Sequence, residues 1–206
     1  QGVIDQVAGG YGTIANDLFA PLDACYIGEE LPQRDQDLDQ ANALLAEAGN
    51  PTLPALLAPN DTAGLPELVQ AFAAMAAEGG ITIDAQVVDG GIYWGDEYLK
   101  RPFGTDFWGP RNFLAQCAAG ELPTAPYPDT HWPPEGSTFI DDYNAAVAET
   151  DLDKRKVLTD KMQNELYETG GLLVLFFGNQ LDGYNPRVQG LVERPNTLNQ
   201  IGRAHV

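Results

Sequence analysis

Basic residues are scarce: 11 Lys plus Arg stand against 30 Asp plus Glu in 206 residues, a net charge of −19. Sequence-independent affinity for nucleic acid comes from basic side chains that release condensed counterions. A nucleic-acid partner is therefore excluded as the default reading, since the densest basic cluster is only Lys154 to Lys156. The same scarcity disfavours an anionic membrane surface. Cysteine is nearly absent. Cys25 and Cys117 are too few for a disulfide framework and lack the CxxC spacing of a zinc site, which leaves one disulfide or two buried thiols. Histidine is limited to His131, in a proline-rich loop beside Trp132, and the penultimate His205. The lone serine, Ser137, lies in no GxSxG elbow and is better placed to cap a helix starting at Phe139, so serine nucleophilic catalysis has no basis. No apolar run approaches the roughly 20 residues of a membrane helix; the most apolar one, Leu172 to Phe177, has six.

What is present is enough for a core, since 44% of residues are hydrophobic. Val3, Ile4 and Val7 sit at helical spacing, with Gly9 and Gly10 to end the helix, and an irregular segment carrying Pro21 and Pro32 follows as far as Gln36. Asp37 is placed to cap a helix with the apolar stripe Leu38, Ala41, Leu44, Leu45 and Ala48, closed by Gly49. Leu53 to Ala58 reads as an edge strand limited by Pro54, Leu65 to Glu78 as an amphipathic helix, and Ile81 to Val88 as an alternating strand. Strand, helix, strand at this spacing predicts a crossover in an α/β sheet. A Gly- and aromatic-rich segment at Gly90 to Trp94 is expected to be followed by a short helix and then the aromatic run Phe103 to Leu114, and Leu122 to Gly136, with five prolines, is expected to be loop. Two more helices are predicted, Phe139 to Glu149 and Asp153 to Thr169, then a buried strand at Leu172 to Phe177.

Chemistry of the catalytic kind is thin. The pairs Glu29/Glu30 and Asp141/Asp142 suggest acid/base hydrolysis only if two carboxyls face each other across a substrate, and neighbours on a helix do not. "GGYGT" at Gly9 to Thr13 lacks both the GxGxxG pattern and a following Lys-Ser/Thr, and it ends a helix where a phosphate loop begins one. Aromatic residues stand out instead: Tyr93, Trp94, Phe107, Trp108 and Trp132 all fall in Gly- or Pro-rich segments between regular elements, where binding surfaces are commonly built. The competing role for them is to plug the ends of the sheet.

In series, "VIDQVAGGYGTIAN" (Val3 to Asn16), "DLDQANALLAEAGN" (Asp37 to Asn50), "GITIDAQVVD" (Gly80 to Asp89), the stretch from Phe139 to Phe177 and "NQLDGYNPRVQGL" (Asn179 to Leu191) resemble successive elements of the C-terminal lobe of family 5 solute-binding proteins. These are the oligopeptide, dipeptide and nickel receptors of ABC importers. The resemblance implies an α/β fold with a mixed sheet flanked by helices, one lobe of a two-lobed clamp that closes on its ligand. Residues 1–206 would form that lobe, as a fragment of a longer protein, with 178–206 returning toward a missing N-terminal lobe. It further implies export, to the periplasm or lipid-anchored on the cell surface, where a disulfide between Cys25 and Cys117 is permitted.

Peptide-binding members carry an acidic loop of the type Trp-x-x-Asp-Tyr-x-x-Pro whose Asp pairs with the peptide's amino terminus. In this sequence the stretch "DFWGPRNFL" is shorter and places Arg111 near that acid's position, which would favour a carboxylate over an ammonium. The expected ligand-binding set is Trp108, Arg111 and Asn112, with Tyr93, Trp94 and Trp132 in support. The function implied is non-catalytic: capture of a peptide or related small polar solute in an inter-lobe cleft and delivery to an ABC permease, with no cofactor and no bound metal. The alternatives are an acid/base hydrolase built on paired carboxylates, or an acidic protein-interaction domain.

Overall fold

The computed structural model describes residues 1–95, 98–128, 130, 132–181, 183–185 and 187–188. The return segment expected over 178–206 therefore lies largely outside the described residues, as do His131 and His205. Within the lobe expected from sequence, the chain forms two compact units. One comprises Gln1–Asn16, Glu29–Trp108 and Leu175–Gly178; the other comprises Asp17–Gly28, Gly109–Val174 and the described part of 179–206.

The first unit is α/β. Helix α1 (Gly2–Val7) buries Val3 and Ile4 and stops at Gly9 and Gly10, both at positive φ. Helix α2 (Leu38–Glu47) starts where Asp37 accepts a hydrogen bond from the Gln40 amide at 2.8 Å. None of its residues is buried; its stripe leans on the end of the next helix, where the Asn42 amide donates to the Gly79 carbonyl at 2.7 Å. Strands β2 (Leu56–Pro59) and β3 (Ala85–Val88) pair in parallel, joined through helix α3 (Leu65–Glu78) as the spacing predicts. The ladder is shorter than the predicted Ile81 to Val88. Pro54 has no N–H to donate, and pairing begins only at the Leu56 amide, bonded to the Asp84 carbonyl at 2.9 Å. Leu56, Ala58, Leu65 and Val69 form the core, with Phe72, Ile83 and Phe103 packed against them.

Strand β1 (Gly12–Ile14) pairs antiparallel with β4 (Phe176–Gly178). The expectation of a buried strand over Leu172 to Phe177 is corrected here. A strand extends only as far as its partner, β1 has three residues, and Leu173 is left 55% exposed. The α/β class is as expected, with parallel and antiparallel pairing both present: the described residues hold one antiparallel and one parallel strand pair.

The second unit is helical. Helices α6 (Phe139–Ala148) and α7 (Leu152–Thr169) pack together over the fully buried Phe139, Ala146 and Met162. Ser137 Oγ accepts from the Phe139 amide at 3.0 Å, as predicted, and Asp151 caps α7 through the amides of Asp153 and Lys154. An ion pair of 2.7 Å between Lys161 and Asp142 ties the two helices. Helix α5 (Phe113–Gln116) runs into one π-helical turn, Cys117–Glu121. Cys25 and Cys117 are free thiols rather than the bonded pair that export would permit. Cys117 is fully buried within the π-turn, and the Cys25 side chain is engaged in hydrogen bonds with Thr159 and Asp23.

Candidate functional site

The aromatic residues between α3 and α5 are where the first unit departs from a plain core. Helix α4 (Gly90–Tyr93) is started by Asp89, whose carboxylate accepts from the Ile92 amide, and by Asn60, whose side chain accepts from the Gly90 amide at 2.9 Å. Its last residue, Tyr93, is 4% exposed. The Tyr93 hydroxyl donates to the Thr105 carbonyl at 2.5 Å and lies 3.3 Å from that of Leu57. Residues 103–105 run alongside β2, with a parallel bridge between Leu57 and Gly104. A Cβ at position 104 would lie 2.8 Å from the Tyr93 hydroxyl, so a larger residue there would displace that hydroxyl. One tyrosine thus fixes the strand-like segment that presents the next residues.

Those residues form the site. Trp94 meets Tyr93, Tyr98 and Phe107 edge-on, with ring centroids at 4.9, 5.2 and 6.0 Å. Phe107 is 61% exposed, so this aromatic group opens to solvent on one side. Asp106 lies within it: one carboxylate oxygen accepts from the Tyr98 hydroxyl at 2.8 Å, the other from the Phe107 amide at 2.6 Å. Burial pushes the Asp106 carboxyl above its ordinary value, and those two hydrogen bonds partly offset the push. Tyr93 is raised as well, chiefly by burial. The Arg101 guanidinium lies over the Tyr93 ring, 5.2 Å from its centroid. A desolvated carboxylate framed by aromatic faces can take a cation through both charge and ring quadrupoles.

The residues expected from sequence divide between the two units. Tyr93, Trp94 and Trp108 belong to the first; Arg111, Asn112 and Trp132 belong to the second. Of these, the structure brings together Tyr93 and Trp94. Arg111 and Asn112 are exposed at the start of α5, whose Phe113 amide is capped from afar by Asp23 at 2.8 Å. Arg111 donates to the side-chain oxygen of the buried Gln116 at 3.2 Å. Trp132 is 6% exposed and packs edge-on against Phe139 at 4.4 Å, a core position; its indole N–H is buried without a hydrogen-bond partner.

Asp106, Tyr98 and Arg101 are absent from the expected set. The signal for Asp106 was there to be found: Phe103, Asp106, Phe107 and Pro110 fit aromatic-x-x-Asp-aromatic-x-x-Pro, with Phe in place of the family's Trp and Tyr. Reading Arg111 as the substitute for that acid is therefore corrected. The carboxylate pairs weighed for hydrolysis do not converge: Glu29, Glu30 and Asp141 are exposed, and Asp142 is bound to Lys161 and to the Thr138 hydroxyl. Among the described residues no group of three or more His, Cys, Asp or Glu is placed to hold a metal ion, and no helix is long and apolar enough to cross a membrane.

Residues 1–115 match the family model of bacterial extracellular solute-binding proteins, family 5 Middle. No curated protein matches the chain significantly. Among solved structures, the substrate-binding protein CtaP of Listeria monocytogenes superposes with a TM-score of 0.73 at 17% identity, over 85% of this chain and 37% of that one. The periplasmic binding protein DppA of Helicobacter pylori, in complex with the peptide STSA, gives 0.68 at 20% identity, over 85% and 35%. A nickel ABC transporter protein of Bacillus halodurans gives 0.69 at 20% identity, over 85% and 39%. The chain thus spans less than two fifths of the length of each of these three.

Proposed function

Because the chain belongs to the bacterial extracellular solute-binding proteins of family 5, we propose that it is part of the receptor of an ABC importer, capturing a small solute that carries an ammonium group. The observation that supports this most is the Asp106 carboxylate, desolvated and framed by Trp94, Tyr98 and Phe107. Tyr93 acts beneath the site, holding residues 103–105 in place, while Trp94 offers a face to the solute. A peptide with a free amino terminus suits this arrangement, as would another amine of similar size. In the first unit, Trp108 would contact the remainder of the solute. A further lobe would enclose the ligand, and a membrane permease would receive it. Binding, not bond breaking, is the chemistry these groups support: Asp106 is occupied by two hydrogen bonds, and no second carboxyl faces it among the hydrogen-bond partners described. The family is extracellular by its description; the protein would act in the periplasm or on the outer face of the membrane, with or without a lipid anchor.

The test is a thermal-shift and calorimetric screen against tetra-alanine, its N-acetylated form, maltose, citrate and nickel chloride. A ligand held only by the native state raises the melting temperature. The expected result is stabilisation by tetra-alanine that N-acetylation abolishes. Stabilisation by the sugar, acid or metal alone, or equal binding of the acetylated peptide, would overturn this reading.

A further inference from the structure

Two donors meet the Asp106 carboxylate, and they differ in kind. The Phe107 amide, 2.6 Å from one oxygen, belongs to the next residue's own main chain and moves with Asp106. The Tyr98 hydroxyl, 2.8 Å from the other oxygen, comes from eight residues away in sequence. Its ring is held in turn: it meets Trp94 edge-on at 5.2 Å, and Trp94 meets Phe107 at 6.0 Å. Tyr98 therefore ties the carboxylate to the aromatic group, where the Phe107 amide ties it only to its own backbone.

The terminal torsion of an aspartate is broad, and a second donor on the opposite oxygen removes that freedom. An ionised carboxyl has about four lone-pair sites; the two donors occupy one on each oxygen and leave the others for an incoming N–H. Asp106 and Tyr98 are half-buried and Phe107 beside them is exposed, so those sites can be reached from solvent. We propose that Tyr98 is a positioning residue of the ammonium site: its hydroxyl fixes the plane of the Asp106 carboxylate and leaves a lone pair on each oxygen for the solute. The same bond has an electrostatic effect. Burial raises the Asp106 carboxyl, while the Tyr98 hydroxyl and, after it, the Phe107 amide lower it, so Tyr98 helps to keep the acid ionised. The other ionisable groups nearby are Tyr93, whose hydroxyl is committed to the Thr105 carbonyl, and Arg101, which lies over the Tyr93 ring. This inference rests on the solute-binding reading above and deepens it.

The test is calorimetric titration with tetra-alanine from about pH 4 to pH 9 in wild type, Tyr98→Phe and Asp106→Asn, with N-acetylated tetra-alanine as control. Tyr98→Phe keeps the ring against Trp94 and deletes only a donor; the oxygen it leaves can turn to water, so the variant should fold. In wild type, affinity should fall in alkali as the peptide's amino terminus, ordinarily near 7.7–8.0, loses its proton. It should fall in acid as Asp106 gains one. The peptide's own titrations are common to all three proteins, so a limb that moves belongs to the protein. In Tyr98→Phe the acid limb should move to higher pH while the alkaline limb stays. At the pH where wild type has lost half its affinity on the acid side, Tyr98→Phe should bind at least about threefold more weakly, a fraction of what a hydrogen bond to a charged group contributes. Asp106→Asn should lose the limb that Tyr98→Phe shifts. An acid limb at the same pH in wild type and Tyr98→Phe, whether or not affinity is lower throughout, would overturn the role of Tyr98 and leave solute binding standing. A limb that still shifts with Tyr98→Phe in an Asp106→Asn background would overturn it as well. Equal binding of the acetylated peptide by wild type, or no binding of either peptide, would remove both readings together.

Discussion

Gln163 offers the sharpest test of the packing. It lies on α7 at 0% exposure, where an amide is rarely left without reason. Its oxygen accepts from the Ile27 amide at 3.1 Å and its nitrogen donates to the Cys25 carbonyl at 2.7 Å, so one side chain pairs both main-chain groups of an irregular segment. A third bond, to the Thr159 carbonyl at 3.3 Å, duplicates a helical acceptor and adds little. Gln163→Met keeps the length, the straight stem and the helix propensity, and deletes both bonds. Ile27 is 3% exposed, so its N–H would have no water to turn to. At about 1–3 kcal/mol for each buried group left unpaired, less the gain from burying a thioether in place of an amide, the net loss should be about 2–4 kcal/mol. Urea unfolding should show a lower midpoint with an unchanged slope. At about 2–4 °C per kcal/mol for a chain of this size, melting should fall by roughly 5–15 °C. A loss under about 1 kcal/mol would mean that the segment holds itself in place and that the two bonds are incidental.

Two further outcomes follow from charge and burial. Burial raises Asp106 in the folded state above its ordinary 3.8, so the fold holds that proton more tightly than the unfolded chain does. The associated stability is fully present below about pH 4 and is lost as pH rises through the raised value. Asp106→Asn, which keeps an oxygen for the Phe107 amide, should therefore be at least as stable as wild type at pH 7, with the difference vanishing in acid, while affinity for tetra-alanine falls. An Asn variant uniformly less stable at every pH would show that the carboxylate contributes structurally. For the cysteines, burial pushes the Cys25 thiol up to about 11 and Cys117 well above its usual value. Native protein should react slowly with a thiol reagent at pH 8, and Cys25 should react about tenfold faster for each pH unit as its thiolate fraction grows. Unfolding without reductant should release two thiols per chain, and finding none would overturn the free-thiol state.

Local signals in the sequence were sufficient wherever one residue decides a helix boundary. Asp37 and the paired glycines at 9–10 put the start of α2 and the end of α1 within a residue or two of where they lie, because caps act through their own neighbours. Strand lengths were not legible, because a ladder is set by its partner. Leu172 to Phe177 has the composition of a buried strand, yet it meets only the three residues of β1. The exposed stripe of α2 was equally unreadable, since amphipathic spacing does not say whether a surface is present to cover it. At the site, Tyr93 and Trp94 were visible as aromatics in a glycine-rich turn. Asp106 was legible through the spacing of Phe103, Asp106, Phe107 and Pro110, with Phe in place of the Trp and Tyr that mark the pattern.

A fold optimised only for stability would not tolerate what residues 93–107 contain. Asp106 is desolvated, the Arg101 Nε–H is buried without an acceptor, and Phe107 stands 61% exposed beside them. Gln163, by contrast, satisfies two main-chain groups, and Asp142 is matched by Lys161 and Thr138. The buried Trp132 indole N–H is a further group without a hydrogen-bond partner, in the second unit. Departures from local consistency such as the desolvated Asp106 beside the exposed Phe107 are expected where function outweighs stability.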